Sequence, residues 1–264
     1  LPLLRAVAAS GPVALIHIDA HTDTWDSFQG SKFNHGAPFR RAVEEGLIDP
    51  AATIQIGIRG TQNSPEGWDY SAQNGMDVVF CEEVHASGVE DIAERARACV
   101  GDRPVYLTFD IDSLDPVYAP GTGTPEIGGL TTHQAQMLLR GLRGLNYVGA
   151  DLVEVSPPFD NGYVTSLAGA ALAFEILCLL AEKVSARSIT SPINRPTTGS
   201  LPRSYALPAF APKKSWIPVP PVGPPPHLCA ELRGISAAWK PYRSANLARW
   251  LLSGHTSLLT LNTT

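Results

Sequence analysis

Two short apolar runs, Val13–Ile18 and Val105–Phe109, each stop at a cluster of carboxylates. Asp19-Ala20-His21-Thr22-Asp23 follows the first and Asp110-Ile111-Asp112 the second. The runs are too short for ordinary helices and rich in β-branched and aromatic residues, so they predict strands buried on both faces, as in a parallel sheet. Side chains alternate along an extended segment. If the extended path continues past each strand, 19, 21 and 23 share one side, as do 110 and 112. Asp19, Asp23, Asp110, Asp112 and His21 would then meet where two strands end. Carboxylates gathered this closely raise one another's pKa unless cations sit among them. Hard oxygens with an imidazole suit Mn²⁺ better than a thiolate-seeking metal, and two divalent ions bridged by shared Asp oxygens would neutralise the cluster. A lone Asp-x-Asp would more simply cap a loop; two acidic clusters after two matched strands favour metal.

Between and beyond these runs, helix-like and strand-like stretches alternate. Pro38 to Gly46 reads as a helix stopped by its glycine, and Val89 to Val100 as an amphipathic helix. Thr132 to Leu142 reads as a helix begun by a Thr cap, and Thr165 to Val184 as an apolar helix. Thr53–Ile58, Asp77–Phe80 and Tyr147–Val155 read as strands. Such alternation predicts βαβ units and a mainly parallel sheet covered on both faces, with function outside the carboxyl ends of its strands.

The motifs also carry a family resemblance. Ile18-Asp-Ala-His-Thr-Asp23, Phe109-Asp-Ile-Asp-Ser-Leu-Asp-Pro116 and Ala119-Pro-Gly-Thr-Gly-Thr-Pro-Glu-Ile-Gly-Gly-Leu-Thr131 resemble signatures of the ureohydrolases, the arginase and agmatinase family. Phe33-Asn-His-Gly-Ala-Pro-Phe-Arg-Arg41 and Asp151-Leu-Val-Glu-Val-Ser-Pro-Pro158 are similar to its agmatinase-like branch, and the resemblance covers about residues 1 to 185. It implies a three-layer α/β/α fold and Mn²⁺-dependent hydrolysis of a guanidino compound to urea and an amine. Agmatine, giving putrescine, leads among substrates, with 4-guanidinobutyrate behind it. Two Mn²⁺ ions would be held by Asp19 and Asp110 as bridging ligands, with His21, Asp23 and Asp112 completing the shells. Asp112 would also relay a proton to the departing amine. Glu154 would grip the planar guanidinium, a fork suited to bidentate contact, and His35, in a polar glycine-bearing loop, would exchange protons with bulk water. The implied partners are the small substrate and further copies of the chain, with no nucleic acid or membrane.

The family carries a further metal-ligating His upstream, in a Gly-Gly-Asp-His-Ser motif absent here, and the chain begins at Leu1. The expectation is therefore an N-terminally incomplete member lacking its first strands. The rival reading is an inactive scaffold that keeps the motifs without that ligand. His17, buried in its apolar run, reads as a hydrogen-bonded core group. Arg40-Arg41 reads as a solvated helix face, Trp25 as a residue of the pocket mouth, and Glu126 as part of a loop beside the metal strand.

The net charge of −5 conceals a division near Arg187. Residues 1–187 carry 12 Lys and Arg against 24 Asp and Glu, whereas 188–264 carry 8 against Glu231 alone. Eleven of the 35 residues from Pro192 to Pro226 are proline, a density incompatible with regular helix or an interior strand. The expectation is a ureohydrolase domain over 1–187 and a basic, proline-rich tail over 188–264 without regular structure. The cysteines Cys81, Cys99, Cys178 and Cys229 show no CxxC pattern, which reads as thiols in a reducing compartment, cytoplasmic or mitochondrial. No continuous apolar run of about eighteen residues suggests a membrane span.

Overall fold

A computed structural model describes residues 1–61 and 65–190, and the short segment 259–263. In chain order the elements are α1 (Pro2–Val7), β1 (Val13–Ile18), α2 (Pro38–Glu44), β2 (Ile48–Ile58), α3 (Glu66–Gln73) and β3 (Asp77–Phe80). They continue through α4 (Cys81–Ser87), α5 (Val89–Val100), β4 (Val105–Asp110), α6 (Thr132–Gly141), β5 (Tyr147–Val155), α7 (Val164–Thr190) and β6 (Leu259–Thr263). The strands form one sheet in the order β3-β2-β1-β4-β5-β6, and every neighbouring pair is parallel. The order reverses between β1 and β4, which lie side by side at the centre and end in the two acidic clusters. Open parallel sheets bind ligands at such a point.

Alternation along each strand sorts the core into two layers. Ala14, Ile16, Ile18, Leu107 and Phe109 face the larger cluster, built with Val84, Ile92, Ala96, Leu138, Leu139, Leu172 and Ile176 of α4 to α7. Val13, Leu15 and Tyr106 face a smaller cluster with Leu4, Phe39, Ala42 and Met76. His17 and Asp19 lie on this second face, so the polar cluster grows out of the thinner layer. Thr131 opens α6 with a capping box: its Oγ1 accepts from the Gln134 amide at 3.1 Å, and the Gln134 Oε1 accepts from the Thr131 amide at 2.9 Å.

Three expectations need correction. First, Leu259–Thr263 pairs in parallel with β5, so the tail is not without regular structure along its whole length; residues 191–258 lie outside the described residues. Second, α7 from Val164 to Lys183 has a mean hydropathy of 2.0 and is long and apolar enough to cross a membrane, although no unbroken apolar run announces it. Leu172, Ile176, Leu179 and Leu180 bury its inner side in the larger core, and Glu175 pairs with Arg140 of α6. Third, Arg40 and Arg41 are not both solvated. Arg41 is 4% exposed and pairs with Asp26 at 3.0 Å, while Arg40 lies over the Tyr70 ring at 4.5 Å.

Candidate metal centre

Parallel register brings the two acidic clusters together. Ile18 stands opposite Phe109, so the next residues, Asp19 just past β1 and Asp110 at the end of β4, stand side by side. Each then folds the chain back on itself: Asp19 Oδ1 accepts from the His21 amide at 2.7 Å, and Asp110 Oδ1 accepts from the Asp112 amide at 2.9 Å. The extended continuation expected from sequence is therefore replaced by turns, the second a 3₁₀ turn over Ile111–Ser113. Asp side chains compete well for backbone amides at such points. The Ala20 amide donates to Asp112 Oδ1 at 3.1 Å, stitching one turn to the other.

The turns place donor atoms of Asp19, His21 and Asp112 within 4.8 Å of one another, and likewise those of His17, Asp19 and Asp23. His21 Nδ1 lies 3.1 Å from Asp112 Oδ2 and 3.5 Å from Asp19 Oδ1. Asp110 belongs to neither group, although it lines the same cavity of about 840 Å³. Glu154, His35, Trp25 and Glu126 also line that cavity; His35 sits on an exposed loop, its ring centroid 5.6 Å from that of Phe28 in an edge-on arrangement. Asp23 and Glu154 both hold left-handed backbone, φ 53° and 65°. That conformation costs roughly 1–2 kcal/mol for a residue with a Cβ, and Glu, unlike Asp, has no short side chain to offset it locally.

The electrostatics match the crowding. Burial, reinforced by Asp19, pushes the Asp23 carboxyl well above the usual range, and burial with Asp112 and Asp19 does the same to Asp110. Burial and Asp19 raise Asp112 to about 6, with His21 holding it back. Asp19 goes the other way: burial works upward, but His17 and His21 hold it well below the ordinary value. Burial would lower His21, yet Asp112 and Asp19 raise it to about 11. Protons on these groups do the neutralising that cations could do, so hard oxygen donors with imidazole fit a Mn²⁺-type ion.

His17 is the hydrogen-bonded core group expected from sequence, while Gln55, Thr108, Thr124 and Gly57 carried no role there. His17, 1% exposed, donates from Nε2 to Asp19 Oδ2 at 2.6 Å, and its Nδ1 accepts from Gln55 Nε2 at 3.1 Å. The Gln55 Nε2 group also donates to the Thr22 carbonyl at 2.7 Å, which fixes this tautomer. Gln55, His17, Thr108 and Asp151 are register partners across β2, β1, β4 and β5, a polar row under the cluster. Polar residues at one parity of otherwise apolar strands were the available signal. Thr124 Oγ1 reaches Asp112 Oδ2 at 3.3 Å. Gly57, φ 100°, lets β2 pass the cluster, since a Cβ there would sit 3.0 Å from the Asp19 carbonyl oxygen.

The fold is thus an open parallel sheet flanked by helices, with two acidic turns at its switch point. The sequence profile described as "Arginase family" matches residues 1–179, and the chain belongs to that family. It is 55% identical over 186 residues to a Pseudomonas aeruginosa protein named Guanidinopropionase, covering 70% of this chain and 58% of that one. It is 53% identical over 180 residues to the Gallus gallus protein named "Agmatinase, mitochondrial", covering 68% and 53%. Among solved structures it resembles proclavaminate amidino hydrolase from Streptomyces clavuligerus, with TM-score 0.66 and 46% identity over 68% of this chain and 60% of that one. The chain thus spans little more than half the length of these curated relatives.

Proposed function

We propose that the centre hydrolyses a linear guanidino compound, releasing urea and an amine. The observation that carries this reading is the convergence of Asp19, His21 and Asp112 donor atoms within 4.8 Å, in a cavity also lined by the strained Glu154. Asp19 and Asp110, with His21, Asp23 and Asp112, would hold the metal ions. Bound there, two Mn²⁺ ions would supply Lewis acidity and lower the pKa of a nucleophilic water. Glu154 grips the guanidinium and aims its carbon at the cluster. Asp112 would relay the proton given up by the attacking water to the leaving amine nitrogen, and His35, on the exposed loop, exchanges protons with solvent.

Agmatine is one reading of the substrate. A guanidino acid is the other, supported by the 55% identity to a protein named Guanidinopropionase and by Lys32, a 62%-exposed cation among the residues lining the cavity. Urea release from agmatine, 4-guanidinobutyrate and guanidinopropionate by the Mn²⁺-loaded chain tests both. Turnover of one of them supports the reading. No urea from any of the three, by a chain that holds Mn²⁺, sinks it.

A further inference from the structure

We infer that Arg59, immediately after β2, is a positioning residue that locks the Asp112 turn and the loop 122–127 into one unit. The inference rests on the metal-centre reading above. Arg59 is 5% exposed, and its guanidinium donates to backbone carbonyls. Nη2 donates to Asp112 at 2.7 Å, to Leu114 at 3.2 Å and to Glu126 at 2.7 Å. Nη1 donates to Gly57 and Ser113, and Nε to Glu126 and Ile127. A guanidinium is suited to this because its donors form a rigid planar fork that stays charged. It therefore spans the strand end, the metal-ligand turn and the loop at once.

Both segments that it joins touch the cluster. The Asp112 carboxylate accepts from the Ala20 amide and the Thr124 hydroxyl, so the loop reaches the ligand directly. Gly123 packs against Glu154, whose Oε2 lies 3.8 Å from where a Gly123 Cβ would stand. The space around the fork is filled: a Cβ on Gly129 would come within 2.5 Å of Arg59 Nη2 and of the Asp115 nitrogen. A buried cation so tightly enclosed, with backbone oxygens for acceptors, has little freedom to reorient. Lysine cannot reproduce the fork, since its three donors radiate from one nitrogen. Methionine supplies none.

The test compares Mn²⁺ binding by the full chain with that of Arg59→Lys and Arg59→Met, at a temperature where circular dichroism shows all three folded. Removing an outer contact to a metal ligand typically costs about 10–100-fold in affinity. The expected Mn²⁺ dissociation constants rise in the order wild type, Lys, Met, with at least about tenfold for Met. The KM for the guanidino substrate should rise in the same order, because the loop beside Glu154 loosens too. A purely structural Arg59 would lower the melting temperature and leave both quantities within about twofold, and that result overturns the inference. A wild-type chain that binds no Mn²⁺ overturns the metal reading as well. If neither variant folds, the Arg59 Nε–H of the wild-type chain decides. Its solvent exchange, followed by NMR, should slow when Cd²⁺ occupies the site, and unchanged exchange in a Cd²⁺-loaded chain contradicts the coupling.

Discussion

Replacing His17 by phenylalanine isolates the support beneath Asp19. The aromatic ring can keep the packing of the original imidazole, whose centroid lies 4.3 Å from that of Phe39, while both hydrogen bonds vanish. The bond from Nε2 to Asp19 at 2.6 Å is charge-assisted, and losing it should cost about 1.5–3 kcal/mol. The bond from Gln55 to Nδ1 at 3.1 Å is neutral and worth about 0.5–1.5 kcal/mol, since Gln55 keeps its second acceptor, the Thr22 carbonyl. Together they predict a loss of about 2–4.5 kcal/mol in unfolding free energy at pH 7, read from urea titrations of the metal-free chain. The sign with pH follows from the lowered Asp19 pKa. A carboxyl held below its unfolded value, about 3.9, contributes stability above that pH and loses it as pH falls toward the folded value. The gap between wild type and variant should therefore be full at pH 7 and narrow as pH drops through about 4. Mn²⁺ affinity should also weaken about 10–100-fold. A folded variant within about 0.5 kcal/mol of wild type at neutral pH, a difference typical of innocuous surface substitutions, would refute the reasoning.

Further expectations concern the cluster itself. Asp110→Ala should abolish tight Mn²⁺ binding at both positions, because the bridging carboxylate that the resemblance implies serves two ions; elemental analysis showing two ions retained would end that assignment. Without metal, Asp112 at about 6 and His21 at about 11 both lie above their ordinary values. The stability each contributes is complete below its unfolded pKa and is lost as pH rises through its folded one. The melting temperature in EDTA should thus decline from pH 5 to pH 9, and a rise across that interval would contradict the charge assignment. Glu154→Asn should leave the melting temperature unchanged or raise it, since asparagine tolerates the φ of 65° at which glutamate costs roughly 1–2 kcal/mol. Urea formation should nevertheless disappear; a variant that keeps turnover would remove Glu154 from the substrate.

Strands with strong hydrophobic patterning were legible to the residue. Asp77–Phe80 and Tyr147–Val155 have the bounds that their apolar runs suggest, as does the helix Val89–Val100. The short helices α1, α3 and α4 were not foreseen, because six to eight residues carry too little periodicity to stand out. Which residues would meet at the centre was readable from Asp19, His21, Asp23 and Asp112, yet the route was misread. Strand parity suggested an extended path, whereas Asp19 and Asp110 each capture an amide two residues on and fold the chain back. Long-range support was invisible for a different reason. Arg59 and Gln55 act through partners 53 and 38 residues away, and only the register of the sheet sets those distances. The pairing of Leu259–Thr263 with β5 has the same character, being a contact across more than a hundred residues that no local pattern encodes.

Equilibrium dialysis of the full chain against Mn²⁺, followed by elemental analysis, bears most directly on the central claim that the two acidic turns form a dinuclear centre. The arrangement of Asp19, His21, Asp23, Asp110 and Asp112 predicts two ions per chain at saturation; one ion or none would contradict it.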